Sequence, residues 1–107
     1  MSEKSEMQDK AFEILDKNGL EYIHLNNRMF GKYRTPNKLK SLPDVMFMFR
    51  GTFYMREFKI KGSHSDREAL QREKMALWAR EGANTAVIYT QADLLEDFKN
   101  IGLKYAD

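Results

Sequence analysis

Two acidic side chains and a lysine within residues 42–61, LPDVMFMFRGTFYMREFKIK, have types and spacing that suit a metal site. Asp44 begins a mostly apolar run, and Glu57 and Lys59 lie in an alternating segment after the turn signal Arg50-Gly51-Thr52. Side chains on a strand repeat every two residues, so Glu57 and Lys59 share one face. We therefore predict a β-hairpin, with strands 44–49 and 53–60, that carries all three charged groups.

The position of Asp44 within this hairpin depends on the length of the turn. A two-residue turn at Arg50-Gly51 sets Asp44 opposite Glu57, whereas a three-residue turn shifts its partner to Phe58. Directly opposed residues have Cβ atoms roughly 4.5–5.5 Å apart, and like charges placed there destabilise a sheet. A divalent cation between the carboxylates would remove that conflict. The alternative is an ordinary ion pair between Glu57 and Lys59, with Asp44 serving only to begin its strand.

Length and composition favour one folded domain over residues 1–107. The chain is 42% hydrophobic and 32% charged, which is typical of a soluble globular protein. Its net charge is only +2, so attraction to a polyanion would have to come from local clusters of cations. The absence of cysteine excludes disulfides, thiolate zinc sites and cysteine nucleophiles, and it fits a cytoplasmic protein. No apolar run approaches the roughly 18–20 residues of a membrane span.

Hydrophobic periodicity places the other elements around the hairpin. We predict helices over 5–17, 65–81 and 91–100, the last capped by Thr90, and strands over 21–25 and 84–90. The order α-β-β-β-α-β-α predicts an α/β domain with a four-stranded mixed sheet flanked by helices. The first helix turns inward a stripe made of Met7, Ala11, Ile14 and Leu15, and Glu6 lies at the border of that stripe. In the last helix, the inward residues are Leu94, Leu95, Phe98 and Ile101.

The middle helix combines an apolar side with one polar residue that points inward. Leu70, Leu77 and Trp78 are predicted to form the apolar side. Gln71 falls in a row with Met75 and Trp78 at the i, i+4, i+7 spacing, so it should face the sheet. The glutamine could satisfy a backbone group there, or it could reach into a site at the sheet edge.

The long connection over residues 26–43 concentrates positive charge. A connection of this length within a small domain tends to be functional or mobile. Cations interleaved with Phe30 and Tyr33 suit phosphate contact and base stacking, although a solvated loop would have a similar composition. The candidate nucleic-acid-binding residues are Arg28, Lys32, Arg34, Lys38 and Lys40, together with Lys61 after the hairpin.

These residues together resemble the signature of the PD-(D/E)XK nuclease superfamily. Pro43-Asp44 is followed, after twelve intervening residues, by Glu57-Phe58-Lys59. The predicted α-β-β-β-α-β order is that superfamily's compact core. The details resemble its virus-type replication–repair nuclease branch, the VRR-NUC domain, over roughly residues 6–95. Gln71 matches the glutamine on that family's helix, and Glu6 resembles the acidic residue on its first helix.

The resemblance implies a role for each of these residues. Asp44, Glu57 and the main-chain carbonyl of Phe58 would hold Mg²⁺ or Mn²⁺, and Lys59 would orient or help deprotonate a water. Gln71 would position the lysine, the nucleophile or a phosphate oxygen, and Glu6 would hold a second metal or a bridging water. The implied reaction is hydrolysis of phosphodiester bonds in DNA during replication, repair or recombination.

The resemblance also implies a partner and a preferred form of DNA. Small relatives that stand alone look like homodimers that act on branched DNA, such as the four-way Holliday junction, so we expect a homodimeric endonuclease. Two alternatives are a non-catalytic DNA-binding module with a nuclease-like fold and a structural subunit that binds no DNA. Dependence of DNA affinity on salt separates the second of these from the rest.

Overall fold

The computed structural model describes residues 3–24, 43–60 and 66–104, without the side chains of 66–68. The order α-β-β-β-α-β-α is confirmed. The sheet has the order β1-β2-β3-β4, in which the first two pairings are antiparallel and the pairing of β3 with β4 is parallel. The elements are α1 (Glu3–Lys17), β1 (Tyr22–His24), β2 (Val45–Phe49), β3 (Thr52–Phe58), α2 (Asp66–Arg80), β4 (Asn84–Ile88) and α3 (Gln91–Ile101).

The hairpin of β2 and β3 closes through a two-residue turn. Phe49 pairs with Thr52, and Val45 pairs with Arg56. The two turn residues, Arg50 and Gly51, have φ angles of 51° and 82°. Positive φ at both central positions is the conformation whose twist matches that of the adjoining strands. The two-residue alternative is therefore the correct one, and its register sets residue 44 opposite residue 57.

Helices α1 and α3 cover one face of the sheet and form the main core. The predicted inward stripe of α1 is buried, and in α3 Leu94 and Phe98 are buried while Leu95 and Ile101 pack partly buried against the same core. The Thr90 hydroxyl accepts a hydrogen bond from the Asp93 N–H at 3.0 Å, which confirms the predicted cap. The sheet contributes Val45, Phe47, Tyr54, Phe58 and Ile88 to this core.

Helix α2 lies on the other face, where the apolar core is smaller. Met46, Met55 and Met75 form it, with Phe53 and Ala83 at its margin. The prediction for the apolar side of α2 is wrong: Leu70, Leu77 and Trp78 are 57%, 53% and 42% exposed. The row that contains Gln71 and Met75 meets the sheet instead, because α2 packs mainly along β4 and turns its leucines outward. None of the described helices has the length and apolar character that a membrane span requires.

A buried arginine joins the sheet to α3. Arg56 is 1% exposed, and its Nε and Nη2 donate to the Asp97 carboxylate at 2.7 and 3.2 Å. Nη1 donates to the carbonyls of Met55 and Asn84 at 3.0 and 2.8 Å, and Nη2 also donates to Asn84 Oδ1 at 2.8 Å. All five N–H donors of the guanidinium therefore have acceptors. This network fixes the position of α3 against β3 and β4.

We expect Asp97→Ala to lower the free energy of unfolding by about 3 kcal/mol, because it leaves the buried Arg56 charge without its counter-ion. The double variant Arg56→Met/Asp97→Ala should lose less, since no unpaired charge stays behind. Urea unfolding measures both. Glu13→Ala is the matched control, because Glu13 makes only exposed pairs with Lys10 and Lys17. A loss in Asp97→Ala no larger than in this control would contradict the prediction.

Candidate functional site

The carboxylates of Asp44 and Glu57 meet at the open end of the hairpin. The Asp44 N–H donates to Glu57 Oε1 at 3.0 Å, and the Phe58 N–H donates to Asp44 Oδ2 at 2.8 Å. Each carboxylate therefore accepts a hydrogen bond from the opposite strand segment. Glu57 accepts from the N–H of Asp44, and Asp44 accepts from the N–H of Phe58, the residue after Glu57. This arrangement follows from the two-residue turn, which aligns the two strands so that their acidic ends coincide.

Lys59 and Gln71 complete a cluster with the acid pair. Lys59 Nζ lies 3.7 Å from Glu57 Oε2 and donates to Gln71 Oε1 at 3.3 Å. Gln71 is 5% exposed, so α2 directs its amide at the sheet as its position in the helix predicts. Because the amide oxygen accepts from the ammonium, Gln71 holds Lys59 beside Glu57. Four of the predicted site residues therefore come together. Asp44 lies just before β2, Glu57 in β3, Lys59 just after β3 and Gln71 in α2.

Glu57 is the most perturbed group of the cluster. The residue is 3% exposed. Burial and, to a smaller extent, the neighbouring Asp44 carboxylate raise the pKa of the Glu57 carboxyl to about 7, against the lowering effects of Lys4 and Lys59. A buried carboxyl beside a second acid gains most from an added cation, which would favour its ionised form.

Lys4 belongs to this cluster but is not among the site residues predicted from the sequence. Its ammonium, on the first turn of α1, lies 3.5 Å from Asp44 Oδ2. One feature of the sequence could have identified Lys4. The helix dipole disfavours a cation in the first turn of a helix, so a nearby acidic side chain would stabilise a lysine there. The sequence distance of forty residues to Asp44 hides that acid from any local pattern.

Glu6 is exposed on α1. Within the described ranges, no group of three or more acidic or histidine side chains is placed to hold a metal ion. Lys4, on the same helix, is in contact with Asp44. The role of Glu6 at a second metal stays a prediction.

The donors at this site fit a hard divalent cation. Asp44 and Glu57 offer carboxylate oxygens, which Mg²⁺ and Mn²⁺ prefer. The N–H and C=O of a strand residue point to the same side, so the Phe58 carbonyl faces β2, as does its N–H. The register sets Pro43 opposite Phe58, and a proline has no N–H to donate to that carbonyl. Two carboxylates and one carbonyl could therefore share a metal.

The predicted nucleic-acid-binding residues are six basic side chains. All six cations lie outside the described residues: Arg28, Lys32, Arg34, Lys38, Lys40 and Lys61.

Comparison with known proteins places this site within a recognisable fold. No family profile matches the chain, and no curated protein sequence matches it. A solved structure described as a VRR_NUC domain superposes with a TM-score of 0.68 and covers 92% of this chain and 97% of its own, at 18% sequence identity. The resemblance drawn from the sequence is thereby confirmed at the level of the fold.

We expect the metal-free protein to lose stability as the pH rises from about 4.5 to about 7. In that window the folded protein keeps a proton on Glu57 that the unfolded chain has released, so ionisation destabilises the fold by up to about 3 kcal/mol. The stability is fully present below the lower pH and lost as the pH passes the folded-state pKa.

Urea unfolding in EDTA at several pH values measures this loss, and Glu57→Gln serves as the reference. The glutamine keeps an oxygen for the Asp44 N–H but cannot ionise. The free energy of unfolding of the variant should therefore vary less with pH. At pH 8 it should exceed that of the unaltered protein. Equal slopes for the two proteins would contradict the prediction.

Proposed function

We propose that the protein is a divalent-metal-dependent endonuclease that hydrolyses phosphodiester bonds in DNA. The observation that carries this proposal is the meeting of Asp44, Glu57, Lys59 and Gln71 at one end of the hairpin, in a chain with the fold of a VRR_NUC domain. Fold alone does not define an activity, but this cluster supplies the groups that metal-assisted hydrolysis requires.

Each group has a distinct part in the proposed reaction. Asp44, Glu57 and the Phe58 carbonyl would hold Mg²⁺ or Mn²⁺, which would polarise the phosphate and lower the pKa of a bound water. The Lys59 ammonium, kept beside Glu57 by Gln71, orients that water and stabilises the negative charge that develops on the phosphate. Glu57 acts as a ligand only when ionised, so metal binding and loss of its proton are coupled.

The DNA contacts in this proposal come from the basic residues of the connection before β2 and from Lys61. Their charges would bind the phosphate backbone and make affinity fall with salt. The acidic end of the hairpin follows that connection directly in sequence, with Lys40 four residues before Asp44.

We expect Asp44→Asn, Glu57→Gln and Lys59→Met each to lower Mg²⁺-dependent cleavage of DNA by at least about 10²-fold, because each removes a metal ligand or the cation beside it. Asp9→Asn and Lys10→Met, on the exposed side of α1, are the matched controls and should keep full activity. Cleavage is followed on labelled DNA with Mg²⁺, Mn²⁺ or EDTA.

Two outcomes would contradict the proposal in different ways. Salt-dependent DNA binding without cleavage under any metal condition would identify a binding module with a nuclease-like fold. Equal cleavage by the unaltered protein and all three variants would show that the reaction occurs elsewhere.

We further propose that the active form is a homodimer that cuts branched DNA. Cutting two strands of a junction requires two sites, and each chain offers one acid pair. An apolar surface supports self-association: Met48 is 54% exposed and pairs with Phe53, whose ring lies 5.6 Å from that of the exposed Trp78. Apolar patches of this kind commonly mark protein contacts. This patch lies on the α2 face of the sheet.

We expect light scattering at micromolar concentration to give twice the chain mass of 12.6 kDa, and Trp78→Lys to give the monomer. Ile60→Lys is the matched control, since Ile60 is similarly exposed at 41% but lies outside the patch. On single-stranded, duplex, flap and four-way-junction DNA, the unaltered protein should prefer the junction, and Trp78→Lys should lose that preference. A monomer both with and without junction DNA would contradict the dimer, and efficient cleavage of linear duplex would contradict the junction preference.

A further inference from the structure

The first turn of α1 brings a second lysine to the acid pair. Lys4 Nζ lies 3.5 Å from Asp44 Oδ2, the oxygen that also accepts the Phe58 N–H at 2.8 Å. Lys4 is therefore a counter-ion of Asp44, although it comes from a different element of the fold.

The two lysines of the cluster are held very differently. The Lys59 side chain is 17% exposed and lies between Glu57 and Gln71. The Lys4 side chain is 40% exposed, and its ammonium lies in an ion pair with Asp44 beyond ordinary hydrogen-bond distance. Half-exposed pairs of this kind contribute little net free energy, so Lys4 can leave Asp44 at low cost.

The carboxylate that Lys4 contacts is also a proposed metal ligand. With a divalent cation held by the Asp44 carboxylate, the Lys4 ammonium, 3.5 Å from Oδ2, would lie close to a doubly charged ion. Two cations at such a separation repel each other even in water.

We propose that Lys4 is a built-in counter-ion of Asp44 that a divalent cation must displace, so that Lys4 lowers the metal affinity of the site. This inference rests on the proposed metal-dependent function and adds a residue to its machinery. In the metal-free protein, Lys4 offsets the charge of Asp44. On metal binding the ammonium moves away on its flexible stem, and part of the metal's binding free energy is spent on that exchange.

A purely structural role for Lys4 predicts a different result. If the lysine only fastened α1 to the hairpin, its removal would loosen Asp44 and leave metal affinity unchanged or weaker. A displaced counter-ion predicts tighter binding after removal. The direction of the change in metal affinity therefore separates the two roles.

Titration of the full chain with Mn²⁺ alone, with free Mn²⁺ quantified by electron paramagnetic resonance, tests the inference. We expect Lys4→Met to bind Mn²⁺ roughly 3- to 10-fold more tightly than the unaltered protein, from the repulsion removed at a partly solvated site. Lys4→Arg, which keeps the charge, should bind like the unaltered protein. Lys10→Met is the matched control, because Lys10 lies on the same helix but pairs with Glu13 at 3.7 Å, and it should leave affinity unchanged.

The other possible results of the Mn²⁺ titration each contradict a different part of the proposal. Unchanged or weaker Mn²⁺ binding in Lys4→Met overturns the role of Lys4 and leaves the metal site standing. Absence of Mn²⁺ binding by the unaltered protein, or binding that Asp44→Asn does not weaken, overturns the proposed metal site and this inference with it. Urea unfolding of Lys4→Met in EDTA verifies that the variant folds, as expected for a substitution at a half-exposed surface position.

Discussion

The two-residue turn at Arg50-Gly51 is the constraint on which the rest of the molecule depends. Its left-handed conformation fixes the pairing of Phe49 with Thr52, and every cross-strand partner follows from that pair. Side chains on strands alternate between faces, so a shift of one residue would send β3's buried charges to the wrong sides. Asp44 would then meet Phe58 instead of Glu57, and the acid pair would not form.

Neighbouring residues on β3 show what this alternation achieves. Arg56 points to the face of α1 and α3, and Glu57 points to the face of α2. Both are almost fully buried, but all five donors of Arg56 have acceptors, whereas Glu57 has one backbone N–H and a lysine 3.7 Å away. The compensated charge stabilises the fold. The charge of Glu57 is disfavoured by burial and by Asp44, and a perturbed acid of this kind is typical of functional sites.

Local sequence patterns were sufficient to predict the elements, the sheet class and the inward stripes of α1 and α3, because each depends on residues a few positions apart. The turn length stayed open, since the sequence allowed both Glu57 and Phe58 as partners of Asp44. The prediction for the apolar side of α2 was wrong. That helix carries leucines on one side and the row of Gln71 and Met75 on another, and hydrophobic periodicity does not say which side packs against the sheet. The pairs Lys4–Asp44 and Arg56–Asp97 could not be predicted, because they join residues that only the folded chain brings together.

The charges around the acid pair explain how one site could suit both a metal-free and a metal-bound state. With both acids ionised and no metal bound, Lys4 and Lys59 bring the formal charge of the cluster to zero. If a divalent cation takes the place of Lys4, the ion, Lys59 and the two carboxylates sum to +1. A site with that charge favours an approaching phosphodiester, which carries −1, whereas the metal-free site does not. In this proposal, Lys4 would thereby keep the ionised acid pair unattractive to DNA phosphate until metal is bound.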